Sequence, residues 1–273
     1  MTFATSVPHV PKDWQQPVSF HGESFRNRCR WGREEMARST AAFCLLGRDV
    51  ASGLRKIAAF IDNRGELFAD FRVIFIENDS IDETPDLLRQ WSDENPRVTV
   101  FSETLGLARW PSIASAERST QLAALRNRYL DLIPKLDMVP DYVVVLDADM
   151  GRGISTSGFT SSFGYEDWDV MSSNGIANED EHGHAEFFDA WAFREHGPVE
   201  RRSFREINAL SFRPGMPPVP VWSAFGGMAI YRGACLQGLR YGGEDCEHVV
   251  LHERLRERGF SRHYLNPSQI LLY

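Results

Sequence analysis

The sequence predicts an α/β fold with a mostly parallel central sheet flanked by helices. Three observations carry that prediction. Short apolar runs alternate with helical stretches through the first half of the chain. A further run, 142–146 (YVVVL), is apolar at every position, which suits a strand covered on both faces. Polar, acidic segments follow two of these runs, where open α/β sheets bind their ligands.

Residues 1–22 carry Pro8, Pro11 and Pro17 with little periodicity and read as an extended arm, and the Arg-rich stretch 23–39 predicts a surface helix. The main domain is expected over 41–273, in two parts, 41–150 and 151–273. Residues 41–46 predict a strand ending at Gly47, and 50–64 a helix with Leu54, Ile57, Ala58 and Ile61 on one face. The second strand, 71–76 (FRVIFI), stops at Glu77-Asn78-Asp79-Ser80. Thr84, Pro85 and Asp86 then mark a helix start with Thr84 as its N-cap. A third strand is expected at 98–101. The long helix at 117–133 has Leu122, Leu125, Tyr129, Leu132 and Ile133 along one side. The fourth strand, 142–146, runs into Asp147-Ala148-Asp149 at a carboxyl edge shared with 77–82. Beyond Gly151 the pattern loosens. A strand is expected at 168–173, a long insertion or lid at 177–218, short strands at 219–223 and 227–232, and a last helix at 245–259.

A net charge of −8 and a pI near 5.5 argue against a general affinity for nucleic acid, which relies on excess Lys and Arg. Cys29, Cys44, Cys235 and Cys246 show neither zinc spacing nor a dense disulfide pattern, so a reducing compartment is expected. The N-terminus lacks a basic start followed by an apolar stretch, and no run of about 18 apolar residues occurs. A cytoplasmic protein is expected, with docking on the inner membrane face left open.

The Asp147-Ala148-Asp149 triplet places two carboxylates on one loop, close enough to share a hard cation with a diphosphate. A solvated turn is the plain alternative. His248 and His252, four apart on the last helix, share a face that also carries or adjoins Glu244 and Asp245. In Phe187-Phe188-Asp189-Ala190-Trp191, aromatic faces suit sugar C–H surfaces and Asp189 suits hydroxyls; a small satellite core is the competing reading. Trp222 and Phe225 adjoin Gly226 and Gly227, glycines that permit either a close approach of backbone to a ligand or only a tight bend.

Three features in order, ENDSIDET after a strand, YVVVLDADM, and GGED opening a late helix, resemble glycosyltransferases of the GT-A fold over about residues 41–267. The run RSTQLAALRNRYL and the first two blocks together look like the group that includes capsule-associated α-mannosyltransferases. The resemblance implies transfer of a hexose from a GDP- or UDP-sugar, with GDP-mannose favoured, to a glycan or lipid-linked acceptor. It implies Mn²⁺ or Mg²⁺ at Asp147 and Asp149, with a late histidine, His248, His252 or His263, as a further ligand. It makes 41–150 the nucleotide-binding half, with Glu77, Asn78, Asp79 and Asp82 as the nucleotide pocket, makes 151–273 the acceptor and catalytic half, and sets Gly226 and Gly227 close to the donor sugar. Arg118 and Arg126 would neutralise phosphate and Asn127 would bind ribose or sugar. Asp245, then Glu244, would take the acceptor proton; Asp189, Trp191 and Trp222 would meet the acceptor.

Rival readings make different demands. A phosphohydrolase with an Asp nucleophile carries its DxD after the first strand, whereas this one follows three strand–helix units. A sugar nucleotidyltransferase needs a glycine-rich, Arg-containing phosphate loop that Leu45-Leu46-Gly47-Arg48-Asp49 does not supply. A non-catalytic carbohydrate- or nucleotide-binding protein of the same fold is separated from an enzyme by assay.

Overall fold

The structure, a computed structural model, describes residues 3, 7, 9–111, 114–179 and 185–273. Pro8 of the predicted arm and residues 180–184 of the predicted insertion lie outside that range. Elements follow in chain order as α1 (Gly22–Met36), β1 (Thr40–Gly47), α2 (Ala51–Gly65), β2 (Asp70–Asn78), α3 (Thr84–Glu94), β3 (Val98–Glu103), α4 (Ala116–Leu132) and β4 (Tyr142–Asp147). These four strands pair in parallel in the order β3-β2-β1-β4, the expected layout of the first half.

Strand alternation sorts the β1 side chains between two cores. Phe43 and Leu45 pack on one face with Leu54, Ile57 and Ile61 of α2. Ala42 and Cys44 pack on the other with Leu125 and Tyr129 of α4. Covering both faces is why β1 and β4 are apolar nearly throughout. Two local expectations change. Thr84 is the first residue of α3 rather than its N-cap, because its hydroxyl accepts from the Val50 N–H at 2.9 Å and so ties α3 to α2. The predicted surface helix α1 buries Phe25, Gly32 and Met36, with Gly32 pressed against the Thr160 carbonyl. The arm also packs: Phe3 is buried and stacks on Trp91 with ring centroids 6.1 Å apart.

The second half comprises β5 (Gly153–Ile154), α5 (Thr156–Ser162), β6 (Val170–Glu179), β7 (Ala185–Phe187), α6 (Phe204–Asn208), β8 (Val219–Pro220), β9 (Met228–Arg232), α7 (Glu247–Glu257) and β10 (His263–Leu272). It extends the same sheet in the order β4-β9-β6-β10-β5, and β9 runs antiparallel to both β4 and β6. The central sheet is therefore parallel from β3 to β4 and mixed beyond it. Within the predicted insertion, Phe187, Phe193 and Ile207 form a satellite core with Val221 and Leu265. No helix among the described residues is long and apolar enough to cross a membrane. All four cysteines are free thiols.

Candidate functional site

A cleft of about 450 Å³ opens beyond the carboxyl ends of β1, β2 and β4. Its walls come from Gly47 and Asn78 at strand ends, Asp147 and Asp149 after β4, and Arg118 and Arg126 on α4. Phe188, Asp189, Trp191, Phe225 and the start of α7 close the far side. Chain segments far apart in sequence thus meet at one sheet edge, as strand direction dictates.

Asp147 is the last residue of β4, and its backbone N–H donates to the Gly227 carbonyl at 2.9 Å. Arg126 Nη2 donates to Asp147 Oδ1 at 2.7 Å, while the Tyr273 hydroxyl donates to Oδ2 at 3.3 Å. Arg126 is only 3% exposed and also donates from Nε to Glu247 Oε1 at 3.1 Å. One guanidinium thereby bridges two carboxylates, and its flat face lies 5.3 Å from the Phe225 ring centroid. Asp149 lines the same cleft and stays accessible to water, with protein packed around it. Burial, followed by the negative charge of Asp147, pushes its carboxyl up to about 6. Asp189 is pushed further, to about 7, by burial and then by Asp147 and Glu247. Its left-handed backbone (φ 76°) aims the carboxylate at the Gly226 N–H, which donates at 3.2 Å.

Gly226 and Gly227 also have positive φ, 62° and 84°. A Cβ on Gly226 would strike the Ser173 carbonyl, and one on Gly227 would meet Met150 and the Tyr273 hydroxyl, so this turn admits only glycine. Arg118 lies over the Trp191 ring, 5.3 Å from its centroid, with both residues on the cleft wall.

Several predicted site residues do not line the cleft. Glu77 is buried, accepts from the Ser80 N–H at 2.9 Å and from the Ser102 hydroxyl, and so shapes the loop from below. Asp79 accepts from the N–H groups of Leu105, Gly106 and Leu107 at 2.8, 2.8 and 3.1 Å. The Asn78 amide and those N–H donors hold its carboxyl down at about 2. Asp82 caps two helices, accepting from Ala51 N at 3.1 Å and Thr84 N at 2.9 Å. Only Asn78 of this acidic loop reaches the cleft. Asn127 clamps Tyr241 through both its amide groups, at 3.1 and 2.8 Å. Asp245 accepts from Arg194 Nη2 with both oxygens, at 3.1 and 2.9 Å, and Glu244 pairs with Arg254 at 3.2 Å. Trp222 lies elsewhere, 4.4 Å beneath the Arg256 guanidinium.

The histidines separate in the same way. His252 is fully buried, with Nδ1 2.9 Å from the Ser223 hydroxyl and Nε2 3.0 Å from the Tyr231 hydroxyl. His263 faces the carbonyls of Trp222 and Phe260, at 3.2 and 2.9 Å. Both have their ring nitrogens committed inside the protein. His248 does line the cleft, stacked 3.7 Å on Phe225, and neither of its ring nitrogens has a hydrogen-bond partner. Burial, then the nearby Arg126 charge, holds it neutral. Among the described residues no group of three or more His, Cys, Asp or Glu is arranged to hold a metal ion.

Sequence reasoning missed Glu247 and Tyr273. Glu247 adjoins the GGED element and its helix position was visible; the signal for burial was its neighbour Cys246 and the apolar run after it. Tyr273 carries no motif, and only the path of β10 brings it to Asp147.

No family model matches the chain, and no curated protein matches it. Solved structures do. The chain is similar to the mannosyltransferase PcManGT from Pyrobaculum calidifontis in complex with GDP-Man and Mn²⁺, at 15% identity and TM-score 0.50, covering 92% of this chain and 63% of that one. It is similar to GalNAc-T7 with UDP, GalNAc and Mn²⁺, at 12% identity and TM-score 0.52, covering 97% and 55%. It is also similar to S. aureus TarS, at 14% identity and TM-score 0.50, covering 85% and 36%. The fold is GT-A. At these identities the likeness establishes the GT-A architecture alone, and the chain spans less than two thirds of the length of each of these three proteins. Within that architecture the cleft lies at the carboxyl ends of β1, β2 and β4, and Asp147 and Asp149 both line it.

Proposed function

We propose that this chain is a metal-dependent glycosyltransferase, one that moves a hexose from a nucleoside-diphosphate sugar to a glycan or lipid-linked acceptor. The observation that carries the reading is the placement of Asp147 and Asp149 at the end of β4, in a cleft that Arg118 and Arg126 also line. Burial, joined by the Asp147 charge, pushes Asp149 up to about 6 and forms a setting that a divalent ion relieves. A Mg²⁺-type site beside a diphosphate needs only one or two protein carboxylates, the remaining positions going to phosphate and water. Asp147 and Asp149 fit that demand and would hold the ion. Bound there, Mn²⁺ or Mg²⁺ would supply Lewis acidity to the diphosphate leaving group. GDP-mannose is the favoured donor, on the strength of the mannosyltransferase of like fold that holds GDP-Man and Mn²⁺.

The chain's own residues supply the rest. Arg118 faces the cleft from the first turn of α4 and offers phosphate a bidentate guanidinium. Arg126 fixes the rotamer of Asp147. Asn78 offers an amide to ribose or base. For the acceptor proton two carboxylates compete. Asp245 must first be freed from Arg194. Asp189 lines the cleft directly and titrates near neutrality. Asp245→Asn and Asp189→Asn separate these roles, since loss of turnover with donor hydrolysis retained marks the base.

The deciding measurement is thermal unfolding with GDP-, UDP- and CDP-hexoses, with and without Mn²⁺, followed by donor hydrolysis. A donor that raises the unfolding midpoint only with Mn²⁺, and not in Asp149→Ala, supports the reading. It falls if no sugar nucleotide shifts the midpoint, or if Asp149→Ala binds and hydrolyses donor as the parent does.

A further inference from the structure

A second pocket, of about 510 Å³, lies at the opposite edge of the sheet, among α1, the turn after α5 and the end of β9. Arg232 on its wall pairs with Tyr142, the first residue of β4, whereas the cleft lies at Asp147, the last. At ~3.3 Å per residue the two sites stand roughly 17 Å apart.

The pocket is charge-balanced. Arg28, Arg38 and Arg232 face Glu34, Glu35 and Glu166, a formal sum of zero that selects neither an anion nor a cation. It also carries an aromatic platform. The Arg28 guanidinium lies between Trp31 and Tyr165, at 4.9 and 4.7 Å from their ring centroids, and Trp31 leaves 41% of its surface to solvent. The back wall is rigid. Arg232 stacks on Trp168 at 4.7 Å and donates to the Tyr142 hydroxyl at 2.7 Å, and that hydroxyl donates to Glu35 at 2.7 Å. Among the described residues the side chains of Glu34 and Glu166 have no hydrogen-bond or ion-pair partner, and Arg28 spends one N–H on the Gly164 carbonyl.

Exposed aromatic surface, unspent carboxylates and guanidinium N–H groups, and no net charge are what a neutral polyhydroxyl ligand requires. Hydroxyls exchange hydrogen bonds with acids and guanidinium groups, and sugar C–H faces cover an aromatic ring. A preformed wall lowers the cost of ordering on binding. We propose that this pocket is a second carbohydrate-binding site, which holds a neutral glycan chain away from the cleft. The proposal rests on the glycosyltransferase reading only for its purpose, the retention of a long acceptor.

The test titrates the full chain with cello-, malto-, laminari- and mannohexaose, and with inorganic phosphate as the anionic probe, by calorimetry and tryptophan fluorescence. At least one hexasaccharide is expected to bind. Trp31→Ala should weaken it by about tenfold, the equivalent of one stacking contact. Asp149→Ala should leave it unchanged. Because Trp31 is exposed, Trp31→Ala should match the parent in circular dichroism and unfolding midpoint; Arg28→Met, which keeps the aliphatic stem, is the second variant. The proposal is overturned if no hexasaccharide binds, if both variants bind like the parent, if Asp149→Ala abolishes binding, or if phosphate binds there and the sugars do not. Hexasaccharide binding through Trp31 without processing of any sugar nucleotide would retain this site and remove the glycosyltransferase reading. Donor hydrolysis without such binding would do the reverse.

Discussion

Asp189 occupies a left-handed backbone conformation and carries a carboxyl pushed to about 7, two unfavourable features at one position beside the Gly226 turn. Its raised pKa means the folded chain holds the proton more tightly than the unfolded chain. Stability is therefore lost as pH rises from about 4 to about 7 and stays lost above. Asn tolerates the same backbone and preserves the acceptor for the Gly226 N–H. Asp189→Asn should raise stability at pH 8 by on the order of 1–4 kcal/mol, with the gain shrinking towards pH 4, as measured by urea unfolding at both pH values. A variant no more stable at pH 8 than the parent would contradict the buried charge. The position of Asp147 and Asp149 was legible because an all-apolar strand points to its own carboxyl edge. The partners of 77–82 were not legible. Glu77, Asp79 and Asp82 carry the same chemistry whether they hold a ribose or a backbone N–H, and only the fold shows that the N–H groups claim them.

Asp82 joins the starts of α2 and α3, so its loss releases two N-terminal turns at once. Asp82→Ala should cost about 1–2 kcal/mol, with hydrogen exchange faster in the first turns of both helices; protection lost in one helix alone would refute the double cap. Helix contact is tighter still between α1 and α5, where Gly32→Ala forces a methyl into the Thr160 carbonyl and should cost about 1–3 kcal/mol in chemical unfolding. Helices and parallel strands of the first half were legible from apolar runs, helical period and cap residues. Strand β10 was not, because HYLNPSQILL mixes polar residues and a proline into a buried strand. Its polar groups are paid for locally. Asn266 Nδ2 donates to Ser162 Oγ at 2.8 Å, and Gln269 exchanges hydrogen bonds with Ser162 and Ser173 at 2.6 Å each. A bulge between Asn266 and Ile270 accommodates Pro267. Such a polar seam has no hydrophobic period to detect.

Across the whole molecule, acid response is a balance of opposed groups. Burial is the largest cause holding His248 and His252 neutral far below their usual range, and with Arg256 it brings His263 down to about 4. Each takes a proton in the unfolded chain near pH 6.5 but not in the folded one, so stability falls as pH drops from about 6.5 towards 4. Asp149 and Asp189 act in the opposite sense over much of that range. Three histidines outweigh two acids. The unfolding midpoint should therefore decline from pH 7 to pH 4.5, more steeply in Asp189→Asn, and a flat or rising midpoint would show that the imidazoles are not buried neutral. The Arg126 guanidinium bears on a different experiment. Since it already bridges Asp147 and Glu247 from inside, these two carboxylates are held in place by the chain itself, and treatment with a chelator should leave the unfolding curve in place. Any loss of nucleotide affinity after chelation then reports on the ion itself and not on a collapsing scaffold.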